Sequence, residues 1–161
     1  MSNSKHAVIN IDGACINQGL SNAKAGYGVH WGENHQNNLS GRVVGDQDNN
    51  RGELTGANQA LKQVNTTYYP IDFHLESVKP QAASQGYTHV TLRSDSTYVR
   101  DAIAGASGFQ SASPANRDLM QSIHDLSKGG RMTVHYEHVS GHSGDAGNDA
   151  AHRLATEGAK K

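Results

Sequence analysis

Apolar and polar residues alternate at the start of the chain. Residues 6–11 (HAVINI) carry the period-two pattern of a strand with one buried face, and that strand is expected to end at Asp12. Residues 26–32 (GYGVHWG) and 38–44 (NLSGRVV) read as two more strands joined by a polar turn, and three such strands in succession predict an antiparallel meander. The period then lengthens. In residues 53–64, Leu54, Ala57, Leu61 and Val64 fall at helical spacing, with Glu53 opening the helix. Residues 89–94 (HVTLRS) return to strand pattern and run into Asp95. Residues 97–104 follow as a short helix with Val99, Ala102 and Ile103 inward. After Pro114, Leu119, Met120, Ile123 and Leu126 share one helical face, and Gly129-Gly130 is the stop signal. Residues 131–139 (RMTVHYEHV) read as the last strand, and a helix is expected from about Asn148 to Gly158.

Strands alternating with helices late in the chain imply parallel pairing there, and the long gap between the third and fourth strands favours a crossover helix. The pattern is therefore α/β, with antiparallel strands first and parallel strands afterwards. Residues 65–87 mix polarities, contain two of the prolines and fit no element, so they read as an insertion.

A length of 161 residues is one domain's worth of chain, able to bury a core without a covalent staple. Cys15 is the sole cysteine, so no intrachain disulfide is expected, a reducing compartment fits, and no Cys/His zinc spacing exists. The N-terminal residues show no charged-then-apolar signal pattern, and no apolar run approaches a membrane span. The expectation is a protein working inside the cell, away from membranes, as a monomer. Net charge is −1, with 10 histidines. That balance argues mildly against a nucleic-acid partner, whose binders usually carry a basic face, so any such function must be read from side-chain chemistry.

Three acids occupy suggestive places. Asp12 and Asp95 stand where apolar strands are expected to end, and Glu53 where a helix is expected to begin. In α/β sheets these points converge on the ligand crevice. One acid so placed is ordinarily a cap or a turn residue. Three brought together repel unless a cation sits among them, and Mg²⁺ is the usual remedy. Two such ions about 4 Å apart can activate a water and stabilise a leaving oxygen in phosphodiester hydrolysis.

The local motifs sharpen this. NIDGAC, NAKAGYGVHWG, NNRGEL, RSDSTYV and HVSGHSGDAGNDAAHRLA, in this order, resemble the type 1 ribonucleases H of the eukaryotic kind. The resemblance runs from residue 6 to 161, and the ending GHSGDAGND…RLATEGAK is especially specific. It implies a five-stranded mixed sheet, three antiparallel strands first, with helices on both faces. It also implies an enzyme that hydrolyses the RNA strand of RNA–DNA hybrids with two Mg²⁺ or Mn²⁺ ions. On the same basis Asp12, Glu53 and Asp95 match three of the four metal-binding carboxylates, and His142 matches a mobile histidine that helps product or proton leave. Asn116 matches a contact to a DNA phosphate, Asn49 and Asn50 match readers of the hybrid's minor groove, and Cys15 and Gln18 lie on a loop that touches the hybrid.

The chain departs from that pattern in three places. The fourth carboxylate, expected before Arg153-Leu154-Ala155, is His152, which is either a nitrogen ligand to the second metal or an inert substitute. Asp149 is the nearest acid, but it stands about 4.5 Å back along the helix axis. Asp46 and Asp48 occupy positions where the family carries an arginine and a threonine, so they either face a DNA phosphate unfavourably or turn outward. Between Asp95 and Asn116 the segment GASGFQSASPA replaces a basic, Trp-rich protrusion, which implies weak hybrid binding. The alternatives are a hybrid-binding protein that barely cuts, or a structural domain that kept only the fold.

Overall fold

In a computed structural model of the protein, residues 5–65, 87–105, 112–128, 132–140 and 144–161 are described. The expected insertion at 65–87, apart from Asn65 and Tyr87, and the Gly129-Gly130 stop lie outside them. Five strands and four helices occur among the described residues. The first three strands are β1 (His6–Ile16), β2 (Lys24–His30) and β3 (Leu39–Arg42), followed by α1 (Asn49–Val64). Then come β4 (His89–Ser94), α2 (Thr97–Ala104), α3 (Pro114–Lys128), β5 (Thr133–His138) and α4 (Ala146–Ala159). The sheet order is β3-β2-β1-β4-β5. β1 pairs antiparallel with β2, and β2 antiparallel with β3. β1 pairs parallel with β4, and β4 parallel with β5. This is the mixed sheet that the order of strands and helices predicts.

Two boundaries differ from expectation, and both matter for the acids. β1 does not end at Asp12. Its antiparallel pairing with β2 continues to Ile16↔Lys24, whereas its parallel pairing with β4 stops at Asn10↔Arg93. Asp12 therefore lies inside a strand, just where that strand loses one neighbour and a crevice opens. Likewise Glu53 does not open α1 but sits in its second turn. The helix starts at Asn49, with the Asp48 side chain accepting the Arg51 N–H at 2.8 Å as N-cap. The polar run NNRG hides this first turn from any apolar periodicity.

Side chains alternate across a strand, so residues an odd number apart face opposite ways. Along β1, Asn10 abuts Gly147 of α4, while Gly13 abuts the backbone of α1 at Gly52 and Glu53. The two helices thus cover opposite faces of the sheet. On the α1 face, Ile9, Ile11, Leu54, Leu61, Leu92, Val99, Met120 and Ile123 form one buried core, into which α2 and α3 also pack. On the other face α4 lies on β1, β2 and β3 through small residues. A Cβ at Gly26 would overlap the Ala155 carbonyl and the Ala159 nitrogen, and one at Gly28 would overlap the Ala151 carbonyl. Helix and sheet here meet almost backbone to backbone.

That close seat gives the first prediction. Gly28→Ala should lower the unfolding free energy by about 1–3 kcal/mol, as overpacking does, and Gly26→Ala should act alike. Denaturant midpoints at constant slope measure it. Midpoints equal to the parent's would mean that α4 sits further from the sheet than described.

Candidate active site

Four segments build the site. β1 supplies Asp12, whose Oδ1 accepts the Gly13 N–H at 2.9 Å. The second turn of α1 supplies Glu53, which can come this close because residue 13 has no side chain: a Cβ there would run into the Glu53 nitrogen. The end of β4 supplies Asp95, directly before Ser96, the N-cap of α2. α4 closes the fourth side with Asn148, Asp149 and His152, and these residues line a cleft of 210 Å³ with Asp12, Gly13, Asn49, Glu53 and Asp95.

The three carboxylates converge, each offering an oxygen within 4.8 Å of the others. Asp12 and Glu53 are buried. Burial, then the charge of and hydrogen bond to Asp12, then those of Asp95, push the Glu53 carboxyl well above its ordinary range. Its Oε2 is buried without a hydrogen-bond partner. An all-oxygen donor set with one oxygen left unsatisfied is what a hard divalent cation completes, so these residues fit Mg²⁺ or Mn²⁺.

His152 takes a place that neither sequence reading named. Its Nδ1 lies 2.9 Å from Asp12 Oδ2, with the ring half exposed. Among the described residues the converging group is the three carboxylates alone. The ring nitrogen that reaches the site thus engages a carboxylate of the cluster. The companion acid Asp149 lines the cleft one turn earlier.

The expected hybrid-contact residues are spread around this centre. Asn49 lines the cleft, and its N–H donates to Gln18 Oε1 at 2.9 Å, tying the turn after β1 to the start of α1. Asn50 is half-buried beside it but is not a lining residue. Cys15 is half-buried with Sγ 3.6 Å from the Gln47 carbonyl, and burial, then Asp48, pushes its thiol pKa up, so it is a packed thiol rather than a reactive one. Asn116, in the first turn of α3, is buried with Oδ1 unpartnered. Arg51 bridges its surroundings, donating to the Val44 carbonyl at 2.8 Å and the Ala115 carbonyl at 3.2 Å. Asp48, expected to oppose a phosphate or turn outward, is instead the α1 cap, while Asp46 is exposed. His142 lies outside the described residues.

Behind the cleft stands a polar network that the sequence patterns do not disclose. Arg93 joins Asn10, Glu137 and Asp145, and the Asp145 side chain caps α4. The Arg93 hydrogen bond, then the Asn148 N–H, holds the Asp145 carboxyl down at about 2. Arg93 in HVTLRS and Asn10 in HAVINI read as ordinary outward positions, so only their pairing across strands reveals them.

Residues 4–160 match the model of the RNase H family. The chain belongs to the RNase H family. Ribonuclease H of Nitrosomonas eutropha is 32% identical over 168 residues, covering 98% of this chain and 91% of that protein. Ribonuclease H1 of Rattus norvegicus is 30% identical over 163 residues, covering 96% of this chain and 50% of that protein. The chain thus spans about half the length of the mammalian relatives it matches. Among solved structures, LC11-RNase H1 in complex with RNA/DNA hybrid superposes with a TM-score of 0.63 at 18% identity, covering 95% of this chain and 96% of that one. At that identity the likeness carries the RNase H fold, and it agrees with the five-stranded mixed sheet. No helix among the described residues is long and apolar enough to cross a membrane.

The strained carboxylate of this RNase H site gives a pH prediction. The ordinary value for Glu53 is 4.5, and folding raises it. Its contribution to stability is therefore complete below pH 4.5 and lost as pH rises through the raised folded value. Without metal, the raised folded value makes Glu53 oppose folding at neutral pH. Glu53→Gln should therefore raise the Tm of metal-free protein near neutrality, with the gain vanishing in acid, and should lose most of the stabilisation that added divalent metal confers. Melts across pH in chelator and in metal check this; curves identical to the parent's would show the cluster to be unstrained.

Proposed function

We propose that this protein is an endoribonuclease that hydrolyses the RNA strand of RNA–DNA hybrids with divalent metal. The observation that carries the reading is the convergence of Asp12, Glu53 and Asp95, with a buried oxygen of Glu53 left unsatisfied, in a chain of the RNase H family. Relatives bear the name ribonuclease H, and LC11-RNase H1 is described in complex with RNA/DNA hybrid.

Asp12, Glu53 and Asp95 would hold one or two ions, Mg²⁺ or Mn²⁺. Bound there, the metal supplies an activated water and neutralises charge on the phosphate and leaving oxygen. The chain's own residues do the rest. Asp12 and Glu53 are pre-positioned by burial, so little reorganisation accompanies reaction. Gln18, Asn49, Asn50 and Cys15 lie along β1, the turn after it and the start of α1, and would touch the hybrid beside the acids. Asn116 brings a buried amide whose Nδ2 would donate to a DNA phosphate. His142 would assist departure of product or proton. The 2′-hydroxyls of RNA supply the distinction from DNA.

One observation favours a second reading, a hybrid-binding protein with weakened catalysis: His152 stands on the cleft wall and engages Asp12, leaving the site one carboxylate short. The two readings separate in a single experiment. Labelled hybrid, duplex DNA and duplex RNA are incubated with Mg²⁺ or Mn²⁺ and the ends are analysed. The expected result is RNA-strand cleavage in the hybrid alone, leaving 3′-hydroxyl and 5′-phosphate, abolished by Asp95→Asn. Binding without cleavage in either metal supports the second reading; equal cutting of duplex DNA removes both.

A sharper expectation concerns His152. A site short of one oxygen ligand should suit Mn²⁺, which tolerates nitrogen neighbours, better than Mg²⁺. His152→Asp should raise the Mg²⁺-supported single-turnover rate by about tenfold, a barrier change of about 1.4 kcal/mol. The same variant should melt earlier without metal, because it exchanges the partner of Asp12 for another negative charge. An unchanged rate and unchanged metal preference would remove His152 from the reaction.

A further inference from the structure

α4 carries one wall of the cleft, and its first turn is clamped from the sheet. Arg93 on β4 reaches three elements at once. Its Nη1 donates to Asn10 Oδ1 on β1 at 2.9 Å. Nη1 and Nη2 donate to the two carboxylate oxygens of Asp145 at 3.2 and 2.8 Å. Its Nε lies 3.3 Å from Glu137 Oε2 on β5. Asp145 in turn caps α4, its Oδ1 accepting the Asn148 N–H at 2.9 Å. Asn10 also fills the space beside Gly147, where any Cβ would overlap its amide.

These contacts differ in weight. Glu137 is 54% exposed, so its pair with Arg93 is screened and contributes little. The pair with Asp145 is forked, and its side chains are 20% and 27% exposed, the geometry in which a charge-assisted bond fixes position as well as adding energy. From its second turn onward α4 is also seated by glycines, Gly28 against Ala151 and Ala155, Gly26 against Ala155 and Ala159, and Gly41 against Gly158. The first turn, which carries Asn148 and Asp149 and leads to His152, is where the clamp acts.

We propose that Arg93, acting with Asn10 and Asp145, is a positioning residue for the metal site. It holds the first turn of α4 and, through it, the height at which His152 Nδ1 meets Asp12 Oδ2, and so fixes the direction in which Asp12 presents its other oxygen. The inference rests on the ribonuclease H reading of the site. Hybrid contact is expected to be independent of it, because Gln18, Asn49, Asn50 and Asn116 lie on elements that Arg93 does not touch, and Cys15 lies on β1 beyond where that strand pairs with β4. Loosening the clamp should therefore alter metal dependence and turnover, and leave substrate affinity alone.

Two variants test this in the full chain. Arg93→Met keeps side-chain length and removes every donor. Asp145→Asn keeps an N-cap acceptor and removes the charge pairing. Three readouts are taken: nitrogen chemical shifts of the His152 ring in metal-free protein, Mn²⁺ titration followed by calorimetry, and kcat and KM on a defined hybrid across Mn²⁺ concentrations. In Arg93→Met the His152 Nδ1 signal should move towards that of a free imidazole. Its Mn²⁺ requirement should rise about tenfold, as loss of a partner behind the ligands does. Its kcat at fixed Mn²⁺ should fall while KM for hybrid stays within about twofold. Asp145→Asn should move the same way by less, and it decides the matter if Arg93→Met does not fold. Variants that melt earlier but keep the parent's His152 signal and Mn²⁺ titration would reduce Arg93 to a structural brace, overturning the proposal. A parent that fails to cut hybrid would sink the functional reading, while the ring shifts and Mn²⁺ titration still decide this one.

Discussion

Three carboxylates held within 4.8 Å of one another, two of them buried, repel, and the rest of the molecule is organised around keeping them there. Each comes from a different element, and each element is anchored elsewhere by contacts that do not involve the acids. β1 is the central strand, paired on both sides. α1 is fixed by Leu54, Leu61 and Val64 in the main core. Asp95 is bracketed by buried Ser94 and Ser96, with the Ser96 N–H donating to Ser94 Oγ at 2.9 Å. The apolar core thus offsets the electrostatic cost of a site whose repulsion a proton on Glu53 or a bound cation relieves.

Glycine decides how closely the elements can approach. Gly13 admits Glu53 on one face of the sheet, and Gly26 and Gly28 admit α4 on the other. Gly13 pairs with Tyr27, which stands between Gly26 and Gly28, and Gly28 pairs with Asp12, so the missing side chains line the stretch of hairpin that carries the first acid. Backbone contact of this kind is stiff. It sets the cleft by excluded volume, and the Arg93 network then sets it by direction.

Much of this was legible in the order of residues. Period-two and period-3.6 patterns located every strand and helix described, because each has one apolar face and a core to meet. Asp12, Glu53 and Asp95 were legible as a group from the motifs around them, although Asp12 lies inside β1 and Glu53 in the second turn of α1 rather than at their ends. What escaped was whatever depends on partners distant in sequence. That β1 continues past Asp12 is a property of β2, which goes on pairing after β4 has stopped. The role of Asp48 follows from where α1 begins, and the polar residues Asn49 to Gly52 conceal that start. Arg93 and Asn10 look like solvent-facing strand residues until register sets them side by side, as Asn10↔Arg93. His152 was legible as a departure, but its bond to Asp12 spans 140 residues, and no local pattern reports such a pairing.

That same span has a bearing on when the protein can be active. The wall that completes the cleft is drawn from α4, yet it docks on the hairpin made first, β1 and β2. Contacts so far apart in sequence form late, because nearly the whole chain must be closed into a loop before they add any stability. During synthesis the hairpin and α1 can gather the first two acids well before α4 exists. A growing or prematurely ended chain would therefore hold carboxylates without the helix that orders them. The cleft is complete only once α4 has docked on β1 and β2.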